Sequence, residues 1–500
     1  MIDRQNQARA GRGMLRGVAL FGALAMAGQL VPAPLAAAAA PAPAPRPLAD
    51  RMAAYAAGLR YADLDPATVE TAKVQIIDAL GCAIAAFHEG PVATTRTLAV
   101  PGGASTILGT AQRTAPDLAG FINGIALRYY DMNDVYVGKR SGEAGHPSDN
   151  IAPCLAVAEA ERASGKDLIT AVVLAYEIDC QMLDTADLNT HGWDHPVCSL
   201  PAVALATGKL MRLSPDRLTQ AVNLSLNDHI PMLQTRMQVM SDWKGIADAE
   251  AGRNGVFAAR LARAGITGPA PIFEGTAGFF KQVSSLPGID PERFGRPGVP
   301  FRITFCGMKA YPAQIYSMTA IPAGIAVAHE AGSLDRIKSL EIATTRRGLL
   351  TAGLDPEKWL PETKETADHS LPYITARAML DGEISNDSYL PEKLREPRVR
   401  ALMQKITVKE DPALTALMPK AVPNRITAVL TDGRVITRQV NDLPGFVGRP
   451  MGRADVERKF RGNVGKSWSE AQTRAALDAL WQLERQDDLA GLLGKFAIAK

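Results

Sequence analysis

The residues best suited to chemistry are histidines placed where apolar helices begin. His146 ends the polar loop "VGKRSGEAGHPSDN" (137–150), which has three glycines and runs directly into the apolar "IAPCLAVAEA". His195, in "THGWDHPVCSLPAV", also precedes an apolar run. A helix N-terminus favours an anion such as a substrate carboxylate, so both histidines are candidates for proton transfer beside one. The alternative is that Ser148 or Asp149 caps the helix and His146 is only exposed.

Two lysines lie in surroundings that are poor in water. Lys244 follows Trp243 and enters the small-residue run "GIADAEAGRNG", and Lys309 is the one charge in "FCGMKAYPAQIYSM". A desolvated ammonium binds an anion strongly or has a lowered pKa. These lysines are therefore candidates for holding substrate carboxylates. The alternative for Lys244 is that only its aliphatic stem is buried and its ammonium reaches the surface.

Acidic and aromatic groups complete the candidate set. Asp131 and Asp134 lie in "RYYDMNDVY", where an aspartate orients a histidine, binds a substrate hydroxyl or only begins a turn. His369 and Tyr373 are one helical turn apart in "ETADHSLPYITARAML". Tyr373 either donates a hydrogen bond into a cleft or is a core tyrosine with a satisfied hydroxyl.

Together these groups predict one kind of site. It has several cations, no metal-ligand spacing and no phosphate-binding loop. It suits a small polycarboxylate and proton transfer next to a carboxylate, with lysines stabilising the enolate-like charge. A Cys–His nucleophile pair of His195 and Cys198 is the disfavoured alternative.

The elements that must position these residues predict a mainly α fold. Residues 50–303 read as a large helical domain, with helices expected at 65–87, 165–183, 200–213, 214–227 and 245–265. Residues 304–441 read as a smaller α+β domain, with strands at 339–345 and 404–410 and a hairpin at 425–440 around Asp432-Gly433. Residues 442–500 are helical again, so the smaller domain is predicted to be an insertion.

The N-terminus predicts export. Residues 1–40 contain four arginines, the apolar run "GVALFGALAMAG" and small residues near Ala38, which is typical of a signal peptide for the general secretion route. An uncleaved anchor is the alternative. Residues 41–49 form a Pro/Ala linker. We therefore expect a periplasmic protein without stable membrane insertion after cleavage.

The rest of the composition narrows the function classes. Without residues 1–40 the chain has equal numbers of basic and acidic residues and no basic run with interleaved aromatics, so nucleic acid is not expected as a partner. The five cysteines show no CxxC spacing. They are expected to be buried free thiols, with a single disulfide left open as the alternative.

These stretches together resemble the MmgE/PrpD family, which includes 2-methylcitrate dehydratase, cis-aconitate decarboxylase and iminodisuccinate epimerase. The resemblance runs from about residue 50 to 465 and is carried, in order, by "YDMND", "HPSDNIAPCLAVAEAERASGKDL", "GWDHPVCSLPAVALATGKL", "SDWKGIADAEAGRNGVFAARLAR", "MKAYPAQIYSMTAI", "TADHSLPYITARAMLDG" and "GRPMGRADVERKF".

The resemblance implies a helical domain with an inserted α+β lid, a homodimer, and neither a required metal nor an organic cofactor. It also implies a site made of Asp131, His146, His195, Lys244, Lys309 and Tyr373, which are predicted to be catalytic. Substrate binding is predicted for Lys244, Lys309, Ser148 and His369. Two departures stand out. Asn133 and Val135 replace an acid and a hydroxyl residue of the usual motif, and "GKRSGEAG" lengthens the loop before His146.

The predicted activity is that of a metal-independent lyase that dehydrates a hydroxy-polycarboxylate similar to 2-methylcitrate. One histidine takes the proton alpha to a carboxylate, and the other histidine or Tyr373 protonates the leaving hydroxyl. Decarboxylation or epimerisation in the same site is the first alternative. A periplasmic polycarboxylate-binding protein without turnover, suggested by the altered aspartate motif, is the second.

Overall fold

The first part of the chain is mainly helical, as its apolar periodicity predicts. A computed structural model describes residues 46–140, 142–185, 187–284 and 288–499. The predicted signal peptide and residues 41–45 of the predicted linker lie outside the described residues. The helices of this part are α1 (Leu48–Gly58), α2 (Pro66–Ala85), α3 (Gly90–Arg96), α4 (Pro116–Arg128), α5 (Ile151–Ala160), α6 (Gly165–Thr185), α7 (Ser199–Leu210), α8 (Pro215–Ser225), α9 (Ala247–Ala264) and the short α10 (Phe279–Gln282).

Local signals set the ends of these helices. Asp65 caps α2 by accepting a hydrogen bond from the Thr68 N–H at 2.9 Å, and Pro66 occupies the first turn. Ser214 caps α8 in the same way. Gly265 ends α9 with a φ of 100°, a left-handed conformation that glycine adopts without steric cost. The helices predicted at 65–87, 165–183 and 245–265 are therefore confirmed, with ends shifted by up to two residues.

Short strands interrupt this helical part, which differs from the prediction of an all-helical domain. They are β1 (Ser105–Thr106), β2 (Arg113–Thr114), β3 (Asp134–Val137) and β4 (Ala144–Gly145). Strand β3 pairs with β4 and also with β5 (Gly307–Met308), which lies far along the chain. Two- to four-residue strands are too short to produce an alternating pattern, so the sequence does not reveal them.

The second part combines a sheet with helices. The sheet has the order β7-β6-β8-β9, formed by β6 (Ile337–Thr344), β7 (Ile406–Glu410), β8 (Asn424–Leu430) and β9 (Val435–Val440). Strands β6 and β7 are parallel and the other pairs antiparallel. The predicted strands and hairpin are confirmed. The helices are α11 (Ala320–Ala331), α12 (Arg346–Gly348), α13 (Lys364–Ala367), α14 (Leu371–Asp381), α15 (Pro391–Leu394), α16 (Pro397–Met403) and α17 (Pro412–Thr415).

The last helices return to the first part, as predicted. They are α18 (Arg453–Val464), α19 (Glu470–Trp481) and α20 (Leu489–Gly494). Phe460 of α18 belongs to the core formed by the N-terminal helices and packs where Gly81 of α2 leaves room for its ring. A second hydrophobic core, which includes Ile342 and Ile374, lies between the sheet and α11 and α14.

The chain from Arg46 onward forms one compact unit around these two cores. The fold is therefore mainly helical with small sheets, and a lid domain that is separate from the helical part stays a prediction. Among the described residues no single helix is long and apolar enough to cross a membrane. The helices Pro66–Ala85 and Gly90–Arg96 reach that length and apolar composition only when they are taken together, and the chain bends sharply between them.

Candidate active site

A cleft of about 390 Å³ brings most of the predicted site residues together. Residues from both parts of the chain line it. Its polar and charged lining consists mainly of Arg128, Asp131, Glu143, His146, Asn189, Asp194, His195, Arg236, Lys309, Arg347, Asp355 and His369, and its apolar lining includes Leu233, Met237, Ile315, Leu350 and Leu354. Of the predicted residues, Asp131, His146, His195, Lys309 and His369 face this cleft.

Asp131 is the centre of the charged end. Pairing of β3 with β5 places Asp134 opposite Met308, and this register brings Asp131 and Lys309 together although they are far apart in sequence. The Lys309 ammonium donates to Asp131 Oδ1 at 2.6 Å and to its carbonyl oxygen at 2.9 Å. Asp131 has a φ of 53°, a left-handed conformation that few non-glycine residues adopt, and these bonds hold it there.

Cations keep Asp131 ionised. Burial alone would raise its pKa, but the charges of Arg128, Lys244 and Lys309 outweigh that effect and hold the pKa well below its ordinary range. Arg128, at the end of α4, bonds to the same carboxylate oxygen as Lys309. Burial lowers the pKa of Lys309 to about 8, and Asp131 opposes that shift. Near neutral pH the two therefore form an ion pair at the cleft surface.

Three histidines surround this ion pair, and each has its Nδ1 next to an acceptor. Nδ1 of His146 lies 2.7 Å from the Asp134 carbonyl oxygen. Nδ1 of His195 lies 3.3 Å from Asp248 Oδ1, and Nδ1 of His369 lies 2.6 Å from Asp368 Oδ1. An acceptor at Nδ1 selects the tautomer protonated there, so Nε2 of each ring is left to accept a proton.

The surroundings of these rings favour the neutral form. Burial lowers the pKa of all three, to about 3 for His369. The nearby charges of Arg128 and Lys309 push the pKa of His146 further down, whereas Asp248 and Asp194 oppose the shift at His195. The rings of His146 and His195 meet edge to face with centroids 5.4 Å apart. The cleft thus contains adjacent imidazoles of unequal basicity.

Lys244 lies behind the cleft, and its role as a substrate ligand stays a prediction. Its ammonium is almost fully buried, does not line the cleft, and lies 2.9 and 3.0 Å from the Asp368 carboxylate oxygens and 3.4 Å from Asp131 Oδ2. It neutralises two acidic side chains from behind the site. Ligand atoms of Asp131, Asp368 and His369 lie within 4.8 Å of one another, a spacing that suits a metal ion. The Lys244 ammonium already lies beside the carboxylates of Asp131 and Asp368. In this structure the lysine therefore supplies the positive charge that a metal ion would otherwise supply.

Ser148 and Tyr373 do not reach the cleft either. The Ser148 hydroxyl accepts a hydrogen bond from Asn133 at 2.8 Å, and its backbone N–H donates to Asp134 Oδ1 at 3.0 Å. The Tyr373 hydroxyl donates to the Ser388 carbonyl oxygen at 2.6 Å inside the second core. Neither side chain lines the cleft in this structure. Substrate binding by Ser148 and proton donation by Tyr373 stay predictions.

The two sequence departures lie at different depths. The Asn133 amide donates to Ser148 and Asp149 beneath the cleft, and Val135 belongs to the second core. Neither residue lines the cleft. In the long loop, Glu143 does line the cleft, where its carboxylate accepts from the Asn189 N–H at 3.0 Å and lies 3.4 Å from Arg347.

Several charged partners of the site were missed by sequence reasoning. Arg236 donates to Asp194 and Asp248, each at 2.9 Å, and so ties together the two carboxylates beside His195. Arg128 and Asp368 also belong to the cluster. Arg128 and Asp368 lie within quoted motifs, whereas Arg236 lies five residues before the nearest one. A charge at the end of an apolar helix, as for Arg128, is the signal that indicates such a role.

Comparison with known proteins gives two family matches. The model described as the MmgE/PrpD N-terminal domain matches residues 50–292, and the MmgE/PrpD C-terminal domain matches residues 311–483. A 2-methylcitrate dehydratase of Cupriavidus necator is 29% identical over 448 residues, which cover 82% of this chain and 88% of the relative.

Of two further relatives, one is also named a 2-methylcitrate dehydratase and the other is named after a decarboxylation. A 2-methylcitrate dehydratase of Salmonella typhimurium is 28% identical over 452 residues, which cover 82% of this chain and 88% of the relative. A cis-aconitate decarboxylase of Aspergillus terreus is 24% identical over 466 residues, which cover 88% of this chain and 94% of the relative.

Proposed function

Because the chain belongs to the MmgE/PrpD family, we propose that it is a hydro-lyase that removes water from a small hydroxy-polycarboxylate similar to 2-methylcitrate. The observation that carries this proposal is the pair of adjacent imidazoles, His146 and His195, beside the Asp131–Lys309 ion pair in one cleft. Elimination of water next to a carboxylate requires a base, an acid and a cation near the carboxylate. The 2-methylcitrate dehydratase relatives support the substrate class.

The different electrostatic surroundings assign the two histidines. His146 is neutral and next to cations, so its Nε2 is the base that takes the proton alpha to a carboxylate. Asp131 Oδ1 lies 3.7 Å from that Nε2 and stabilises the imidazolium that forms. The carboxylates of Asp194 and Asp248 flank His195 and oppose the lowering of its pKa by burial. Of the two rings, His195 is therefore the one more easily protonated, and it is assigned as the acid that donates to the leaving hydroxyl.

The electron and proton balance of the reaction is simple. The C–H electron pair becomes the new C=C bond while the proton passes to His146. The C–O pair leaves with the hydroxyl group, which takes a proton from His195 and departs as water. The Lys309 ammonium stabilises the negative charge that builds up on the substrate carboxylate in between. His369 borders the same cleft and is proposed to contact the substrate.

Proton NMR in deuterated buffer tests this proposal. The panel holds 2-methylcitrate, citrate, cis-aconitate and a tartrate-like hydroxy acid. Dehydration is expected to convert the hydroxyl-bearing carbon into an alkene carbon, which gives a new vinyl proton with citrate and a methyl signal shifted onto a double bond with 2-methylcitrate. Formation of carbon dioxide would point to decarboxylation instead, and exchange of an alpha proton without net product would point to epimerisation. Tight binding with no change after long incubation would contradict the enzyme proposal and favour a binding protein.

We further propose that the protein is exported and forms a homodimer. The arginine-rich, apolar N-terminus supports export. Exposed apolar side chains such as Met232, Val239 and Trp243 support association with a second copy. A reporter that is active only in the periplasm, fused after the N-terminal segment, tests export. Light scattering of the purified protein tests the dimer, and a monomeric mass at micromolar concentration would contradict it.

A further inference from the structure

We propose that the substrate carries an aliphatic arm longer than methyl, which lies against an apolar wall of the cleft. This inference rests on the proposed function, because the same charged end must hold the carboxylates. The apolar wall is formed by Leu233, Met237, Ile315, Leu350 and Leu354. It lines the same cavity as His146 and Lys309, so a single ligand contacts both surfaces.

The exposure of the apolar wall is what calls for a ligand. Leu350 is 42% exposed and Leu354 57% exposed, although burial of a leucine is favourable. Single exposed leucines are ordinary, but several aliphatic side chains that line a ligand-sized cavity indicate a binding surface. A purely hydrophilic substrate would leave this surface in contact with water.

The distribution of charge supports the same conclusion. Among the described lining residues, Arg128 and Lys309 lie at the charged end with Asp131. Arg236 is held by Asp194 and Asp248, and Arg347 lies next to Glu143. The guanidinium groups nearest in sequence to the apolar wall, those of Arg236 and Arg347, thus already lie beside carboxylates of the protein, which makes this side poorly suited to a further substrate carboxylate. A polycarboxylate head with an aliphatic arm satisfies both ends of the cleft.

A homologous series of substrates tests the apolar wall. The series is citrate substituted at carbon 2 with methyl, propyl or butyl, and kcat/KM is measured for each by NMR. Each methylene buried against the wall is expected to raise kcat/KM about fourfold. Leu354→Ser should lower kcat/KM for the butyl compound at least fivefold more than it lowers kcat/KM for the methyl compound. Val435→Ser, at an exposed site on β9 that does not line the cleft, is the matched control.

Binding of unreactive analogues separates the two proposals. Tricarballylates with the same alkyl arms lack the leaving hydroxyl, so calorimetry reports their affinity whether or not turnover occurs. If the affinity for the tricarballylates rises with arm length but no substituted citrate is turned over, the hydro-lyase proposal is contradicted and the apolar-wall proposal is supported. Turnover with equal kcat/KM for methyl and butyl would overturn the wall alone. The apolar-wall proposal would also be overturned if Leu354→Ser changed the oligomeric state of the protein and lowered kcat/KM equally for all substrates.

An independent observation points to a covalent link. Cys180 on α6 and Cys306, just before β5, have sulfur atoms 3.7 Å apart. Both are free thiols in the structure. We propose that these two cysteines form a disulfide when the protein folds in an oxidising compartment. The remaining cysteines, Cys82, Cys154 and Cys198, are buried, and no sulfur–sulfur contact involves them among the described residues.

The proposed disulfide has a balanced route and a structural consequence. Cys306 is the less buried of the two and lines a surface cleft, so its thiolate attacks a small disulfide or a disulfide-bearing oxidase. Cys180 then displaces the second thiol, and two protons and two electrons pass from the cysteines to the oxidant. Burial raises the pKa of Cys306 to about 11, so exchange is faster before folding is complete. The link would join α6 to the segment that carries Lys309.

Thiol titration with peptide mapping tests the disulfide. Protein refolded with oxidised glutathione should show three of its five cysteines titratable after denaturation, and a peptide pair joining Cys180 to Cys306. Reduction should lower the Tm of this protein and of Cys154→Ser, but leave the Tm of Cys306→Ser unchanged. Five titratable thiols, or a different peptide pair, would overturn the proposal. Its outcome does not depend on catalytic activity.

Discussion

At the scale of single residues, His146 is the group whose replacement tells most about the chemistry. His146→Asn keeps a side chain that can donate to the Asp134 carbonyl oxygen but removes the basic Nε2. We expect kcat to fall by about 10²–10⁴ with little change in stability, which is the usual size of a lost general base. Turnover of the best substrate and circular dichroism measure both effects. His329→Asn, at an exposed site on α11, should behave as the unmodified protein.

The pH dependence of activity should report Lys309. Its pKa is lowered to about 8 by burial, so the ammonium is present below that pH and is lost as the pH rises through it. Because the charged form stabilises the developing carboxylate charge, kcat/KM should decline on the alkaline side with a midpoint near pH 8. Lys309→Arg keeps its charge at higher pH. If this variant retains activity, its alkaline decline should disappear, and an unchanged decline would show that another group titrates.

At the scale of elements, Lys244 joins the turn Asp242–Gly245 to the connection between α13 and α14. Lys244→Met leaves Asp131 and Asp368 without this partner. We expect unfolding free energy to fall by about 3–5 kcal/mol, the usual cost of an uncompensated buried charge. Denaturant unfolding measures it, with the exposed Lys420→Met as control. A stable variant whose KM alone rises would instead indicate direct substrate binding by Lys244.

The contact between α7 and α9 has little tolerance for added volume. A Cβ on Gly255 would lie 2.7 Å from the Cβ of Val203, which is closer than such atoms approach. Gly255→Ala should therefore lower stability by about 1–3 kcal/mol despite the better helix propensity of alanine. Gly462→Ala on α18 has open space around it and should be neutral or slightly stabilising. Thermal unfolding of the two variants measures the difference, and equal Tm values would contradict the packing.

At the scale of the whole molecule, the cleft depends on both parts of the chain. His146 and His195 come from the helical part, whereas Lys309, Leu350 and Leu354 follow residue 304. A ligand in the cleft should therefore protect amides of both parts from hydrogen exchange. At 100 times its Kd the stabilisation should be about 2.7 kcal/mol. Tricarballylate is a suitable ligand because it does not react. Protection confined to one part would place the binding surface elsewhere.

Local sequence determined much of the candidate site. His146, His195 and Lys309 were predicted from a polar residue within or next to an apolar segment, and the structure places all three in one cleft. The helices at 65–87 and 165–183 and the strand hairpin were likewise predicted from periodicity and end signals, because caps and side-chain alternation act over a few residues.

Only the tertiary structure decided which side chains face the cleft and which support it. Lys244, Ser148 and Tyr373 look equally suitable in sequence, yet their polar atoms bond to Asp368, Asn133 and Ser388 away from the ligand space. Lys309 meets Asp131 because β3 pairs with β5, and the register of such short, distant strands leaves no local pattern. The pKa values and the apolar wall arise in the same way, since burial and charge depend on neighbours that the chain brings together only when it folds.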